Sequence, residues 1–349
     1  MKTLNIAVAG AGLIGRRHVE LLQASARTRL NAVVDPSDAA KEFAARHQVP
    51  HFDSLQALFA AQQPDGVILA TPNQLHVSGA LACAANAVPA LIEKPVADSL
   101  HEGQRLVQAL ATVGVPMLVG HHRRHSAVLR AAREVIQSGR LGRLVSVMGS
   151  AQFYKPDAYF EGGPWRKEKG GGPVLINLIH EVDNLRVLCG DVVAVQAMAS
   201  NAMRGFAVED TVVVNLRFAS GALGSFTLSD TAASPRSWEQ TSGENADYPR
   251  HDTEDCYFVA GTQGSLAVPT LRSWTYAGEK SWWQPFEFST QALPQVDPLA
   301  AQLEHFCDVI ERRAEPLVTP AEALESLRVV EAVRRAMASG ALVALSEVS

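Results

Sequence analysis

Through the first third of the chain, apolar residues fall in short unbroken runs, with segments of helical periodicity between them. The runs are LNIAVA from Leu4, the segment Leu30 to Val34, GVILA from Gly66 to Ala70, the apolar stretch ending at Glu93, and Met117 to Gly120. A continuous apolar run suits a strand buried on both faces. Between the runs, Ser37 to His47 and Ser99 to Val113 have helical spacing, and Ser54 can cap a helix through Ala61. Strands alternating with helices predict a parallel sheet joined by crossover helices.

After a helix from Ser126 to Gln137 the period shortens. RLVSVMGSAQFY, VVAVQAMAS, TVVVNLRFAS, ALGSFTLSD and CYFVAGTQGSLAV are strand-like, with turns at Ser220-Gly221 and Gln263-Gly264. These predict a mostly antiparallel sheet. Its conspicuous helix is expected from Pro173 to Cys189, two amphipathic helices follow from Pro298, and ALVALSE closes the chain as a short strand. The polar stretch Ser234 to Asp255 is too long for a routine connection and is expected to be either disordered or a lid or contact arm. The division expected is 1–123 for the alternating domain and 124–349 for an α+β domain.

Composition narrows the function. The 349 residues suffice for two cores, and a net charge of −5 without a basic run argues against nucleic acid as a partner. Cys83, Cys189, Cys256 and Cys307 form no CxxC pair, so neither a zinc knuckle nor a disulfide framework is expected. No apolar run reaches the roughly 18 residues of a membrane span. The first strand begins near Leu4, leaving no room for a signal peptide, so the expected address is the cytoplasm.

The candidate chemistry begins where the first run meets Gly10-Ala11-Gly12-Leu13-Ile14-Gly15. Gly10 suits the turn, Gly12 admits a pyrophosphate against the backbone, and Gly15 lets a helix pack close to its strand. The helix start offers N–H groups to phosphates. Asp35, twenty residues after Gly15 at the end of the second strand, can accept the ribose hydroxyls. These features predict a Rossmann site for a nicotinamide or flavin dinucleotide. A carboxylate at Asp35 repels a 2′-phosphate, and no arginine stands immediately beside it, so NAD is expected over NADP.

Three further stretches carry polar groups that can act on a substrate. Lys94, on the bend Glu93-Lys94-Pro95, can hold the oxygen that becomes an alkoxide during hydride transfer. His180 follows three glycines, Gly170 to Gly172, on the expected helix, and can exchange a proton near neutral pH. Asn177 and Asp183 lie near the same helical face, and Asp183 is expected to pair with Arg186. In His121-His122-Arg123-Arg124-His125 an extended segment points adjacent side chains apart, so a metal is not expected, and Arg123 or Arg124 braces the ligand pocket. Tyr154, Lys155, Tyr159, Trp165 and Arg166 are candidate substrate contacts. The aromatics can stack on a ring, and Lys155 or Arg166 can hold a carboxylate.

Taken in order, GAGLIGRRH, ATPNQLH, EKP, GHHRR, the GGG helix with His180 and Asp183, and QLEHF resemble the Gfo/Idh/MocA family over nearly the whole chain. The resemblance implies that Gly10, Gly12, Leu13, Ile14, Gly15 and Asp35 hold the adenosine and pyrophosphate side of the cofactor. It places Thr71, Pro72, Asn73 and His76 along the nicotinamide half, Glu93 and Lys94 at the reacting centre, and Lys94 with His180 as the catalytic pair. Members often carry an aspartate four residues before the histidine. Here that position is Ile176, with Asn177 beside it, and a neutral amide orients but does not share a proton. The expected activity is NAD-dependent oxidation of a secondary hydroxyl of a sugar, polyol, inositol or sugar acid. A cis-dihydrodiol dehydrogenase and a non-catalytic NAD-binding sensor are the alternatives. The large sheet implies a homodimer or homotetramer through the C-terminal domain.

Overall fold

The computed structural model describes residues 3–349. Tertiary contacts divide them into two compact units, one running to Arg124 and including Pro298–Leu327, the other His125–Asp297 with Arg328–Ser349.

The first unit is built on six parallel strands: β1 (Leu4–Ala9), β2 (Thr28–Val34), β3 (His51–Phe52), β4 (Gly66–Leu69), β5 (Ala90–Glu93) and β6 (Met117–Gly120). Their spatial order is β3-β2-β1-β4-β5-β6, so the winding reverses between β1 and β4. Ligands of such sheets bind outside the carboxyl ends of the strands at that reversal. The apolar runs are explained by burial on both faces: every residue of β4, β5 and β6 is buried. Ser37, Ser54 and Ser99 cap the helices Asp38–Arg46, Leu55–Ala61 and Leu100–Leu110, each Oγ accepting an N–H from three residues on.

The unit boundaries differ from the division at 123/124 in one segment. The helix Pro298–Ile310 packs Leu303, Phe306 and Cys307 into the core of the parallel-sheet unit. Arg27 fixes it there, donating to Glu304 at 3.0 Å, Asp308 at 2.7 Å and Glu311 at 2.8 Å. Sequence order cannot show a return of this kind, because the partners lie more than 270 residues apart.

The second unit carries nine strands: β7 (Leu144–Gln152), β8 (Val192–Ser200), β9 (Thr211–Phe218), β10 (Leu223–Ser229), β11 (Tyr257–Gly261), β12 (Gly264–Val268), β13 (Ser273–Thr275), β14 (Glu287–Ser289) and β15 (Val343–Ala344). Their order is β14-β13-β12-β11-β7-β10-β9-β8-β15, antiparallel except for β7 beside β10. One face is core. The other exposes Met148, Met198, Val213, Leu223 and Phe258.

Two local expectations are corrected. The expected helix from Pro173 is a π-helical turn, Val174–Leu178, followed by an α-helix, Ile179–Cys189. The segment after β6 is a 3₁₀ turn, His122–His125, not an extended strand end. The stretch Ser234 to Asp255 contains the helix Trp238–Ser242, capped by Ser237, with Trp238 buried and its Nε1 donating to Glu244 at 2.9 Å. That one buried indole ties down a segment whose composition alone resembles a loop. Among the described residues no helix is long and apolar enough to cross a membrane.

Candidate functional site

The glycines at the end of β1 have separable tasks. Gly10 adopts φ +95°, and a Cβ there would lie 2.3 Å from the carbonyl oxygen of Ala70. A Cβ at Gly15 would lie 1.9 Å from the carbonyl oxygen of Gly10, so only glycine lets the helix Leu13–Ala24 approach the turn. Gly12 is different: nothing lies within 4 Å of the position its Cβ would take. It stands at the helix start, where no side chain supplies a cap, no acid occupies the first turn, and Leu13 is exposed. Open space before uncapped N–H groups fits a pyrophosphate.

Asp35 directly follows β2 beside this turn. One carboxylate oxygen accepts the Ala11 N–H at 2.9 Å, and the other accepts the N–H of Ser37 at 2.9 Å and its hydroxyl at 2.6 Å. Partial burial opposes its charge, but these hydrogen bonds outweigh burial and hold the carboxyl below the usual range. It therefore stays an acceptor, as a ribose diol requires. Asp35→Ala is expected to weaken NAD binding about 10-fold, and the loss of negative charge to narrow the gap between NAD and NADP. Titration of each nucleotide by protein fluorescence measures both.

At the end of β4, Thr71, Pro72 and Asn73 turn into the helix that His76 begins. His76 is buried, with Nδ1 2.7 Å from the Pro95 carbonyl and Nε2 2.9 Å from that of Thr71. Its ring thus ties the β4 turn to the β5 bend. Lys94 is half-buried at the end of β5. The peptide Lys94-Pro95 is cis.

Behind it is a pair that sequence order did not reveal. Glu93, itself buried, meets Nε2 of buried His18 at 2.8 Å. Burial disfavours the charge of Glu93, but the bond and charge of His18, with Lys94 and His122 nearby, hold its carboxyl below the usual range. The signal was present as the last residue of GAGLIGRRH, but the pairing spans 75 positions. Glu93→Gln is expected to cost about 3 kcal/mol at pH 7, since breaking a buried pair leaves its partner unmatched. A native carboxyl held low stabilises the fold above its unfolded value and loses that contribution as pH falls through the native one. Urea unfolding should therefore show the wild-type advantage at pH 7 and a smaller one towards pH 3. An equal gap at both values would exclude a stabilising charge on Glu93.

In the second unit, His180 is buried on the first turn of Ile179–Cys189. Asn177 lies in the π turn just before it, half-buried, and its Oδ1 accepts from Lys155 Nζ at 2.7 Å. π turns recur at functional sites because they shift one residue out of helical register. Arg186 pairs with Asp191 at 3.2 Å. Tyr154 and Trp165 are exposed, and the Arg166 guanidinium lies 3.9 Å from the centre of the Tyr159 ring. Burial raises the Tyr159 phenol above its usual range despite that guanidinium. Arg123 is buried in the 3₁₀ turn of the first unit, and its neighbour Arg124 pairs with Glu322 at 2.8 Å.

A doubly wound parallel sheet with an open glycine turn and an acid just after its second strand defines a dinucleotide-binding domain. Residues 4–121 match the oxidoreductase family with an NAD-binding Rossmann fold, and residues 129–267 match the GFO/IDH/MocA C-terminal domain. The chain belongs to the Gfo/Idh/MocA family and is an NAD-binding oxidoreductase. It is 29% identical over 294 residues to 1,5-anhydro-D-fructose reductase of Ensifer adhaerens, covering 82% of this chain and 81% of that one. With inositol 2-dehydrogenase of Rhizobium meliloti it shares 23% identity over 340 residues, 96% of this chain and 97% of the relative. The WlbA dehydrogenase of Chromobacterium violaceum, solved with NADH and UDP-GlcNAcA, superimposes with a TM-score of 0.78 at 26% identity, covering 99% of this chain and 96% of the other.

Proposed function

We propose that this protein oxidises a secondary hydroxyl of a sugar-like substrate, with NAD preferred over NADP. The observation that carries the reading is Lys94, on the bend at the carboxyl end of β5, in the unit that has the open turn at Gly12 at the end of β1. Bound NAD supplies the hydride acceptor. The Lys94 ammonium donates to the reacting oxygen and favours its negative charge, and His180 takes the hydroxyl proton. Glu93, held by His18, keeps a compensating negative charge behind the Lys94 bend. Relatives named for anhydrofructose and inositol support a cyclic polyhydroxy substrate. The apolar row on the open face of the nine-stranded sheet supports association into a homodimer or homotetramer.

Ile176, standing four residues before His180 where the family resemblance leads to an expected aspartate, favours a second reading, a sensor that binds NAD without turnover. Absorbance at 340 nm with NAD, or with NADP, and a panel of sugars, inositols, sugar acids and cis-dihydrodiols separates the two. Turnover that disappears in His180→Ala supports the dehydrogenase. NAD binding with no turnover across the panel supports the sensor.

A further inference from the structure

Lys155 lies just beyond β7 in a stretch held from several sides. Its N–H donates to the Asp230 carbonyl at 2.9 Å, and its own carbonyl accepts from Arg204 at 2.8 Å. Its ammonium lies 4.9 Å from the centre of the Tyr159 ring, and its side chain is only 11% exposed. The acid beside it is shared: Asp230 accepts from Arg204 Nε at 2.7 Å and stands 3.8 Å from Lys155 Nζ.

The ammonium reaches Asn177 at 2.7 Å, and this contact decides how the amide faces. An ammonium only donates, so Asn177 must present Oδ1 to it. Its Nδ2 therefore faces away as a donor, and no protein acceptor bonds to it among the described residues. Donation from Lys155 into Oδ1 also polarises the amide and strengthens Nδ2 as a donor. Asn177 precedes His180 by three residues, so a fixed donor backed by a positive charge lies within one turn of the proposed base.

We propose that Lys155 and Asn177 form a carboxylate-recognition site, so that the substrate is a hydroxy acid of the sugar class, an aldonate or uronate, in preference to the neutral sugar. The inference rests on the dehydrogenase reading, in which His180 takes the proton of the same molecule. Lys155 acts as a positioning residue through Asn177 and as the source of the positive field. A neutral alcohol uses neither feature fully.

The test is calorimetric titration of the NADH-bound protein with matched pairs: D-glucuronate against D-glucose, D-galacturonate against D-galactose, and D-gluconate against D-glucitol. At least one acid is expected to bind about 30-fold more tightly than its neutral partner, as a hydrogen bond to a charged group allows. Lys155→Met is expected to remove most of that preference while affecting neutral sugars far less. Because this substitution leaves Asp230 with one cation fewer, Asn177→Asp provides a second variant. It keeps a partner for the ammonium yet places a negative charge where the donor stood, and it too is expected to abolish acid binding. Equal affinity for acid and neutral partners, no acid binding in any pair, or an equal loss for both classes in Lys155→Met would overturn the proposal. Turnover is read separately at 340 nm. Selective acid binding without turnover removes the dehydrogenase reading and leaves the site standing, whereas turnover confined to neutral sugars removes the site alone.

Discussion

Lys94→Met is expected to lower kcat on the productive substrate by about 10³-fold, the upper range for removing one donor from a developing oxyanion. The Kd for NAD is expected to stay within about two-fold, because the proposed adenosine and pyrophosphate contacts lie at the ends of β1 and β2 and the role proposed for the lysine is at the reacting oxygen. The side chain is half-buried at the end of a strand whose residues are all buried, so methionine retains its packing while the charge is lost. Single-turnover kinetics at saturating NAD separates this from a binding defect: the hydride-transfer rate falls and the NAD titration does not move. Activity within ten-fold of wild type would show that Lys94 does not carry the oxyanion.

Gly15→Val has the largest expected effect on the fold, and Gly12→Ala isolates the cofactor contact. At Gly15 a Cβ would meet a backbone oxygen at 1.9 Å, and backbone cannot swing aside as a long side chain can. The helix must withdraw from the turn, with an expected loss of more than about 3 kcal/mol and failure to bind NAD. At Gly12 the φ of −71° is ordinary and the space is open, so alanine leaves the melting temperature nearly unchanged. The added methyl stands in the approach to the helix N-terminus, and NAD binding is expected to weaken at least about 10-fold. Melting curves and NAD titrations of both variants give four numbers. Unchanged NAD affinity in Gly12→Ala would mean that the open space is not where the pyrophosphate lies.

The same contrast marks how far the linear sequence reaches. The alternation of apolar runs with helical periods, the serine caps, the glycine turn and Asp35 are local features. Each depends on residues within one turn or on burial on both faces of a strand, so the parallel sheet and the dinucleotide turn were legible from order alone. The likeness of six ordered motifs supplied the family. The π turn before His180 was not legible, because Val174 to Leu178 has the composition of an ordinary helix. Nor was the return of Pro298–Leu327 to the first unit, which depends on Phe306 and on Arg27 meeting three acids across a long interval.

The sequence by itself determined which residue types stand at the ends of the strands, and hence the class of chemistry. The tertiary structure alone decided their pairings: His18 with Glu93 behind Lys94, and Lys155 with Asn177 before His180. The physical reason is that backbone preference and hydrophobic period act over a few residues. A hydrogen bond or a buried charge instead selects its partner by distance in space, and folding sets that distance among residues 75 and 22 positions apart.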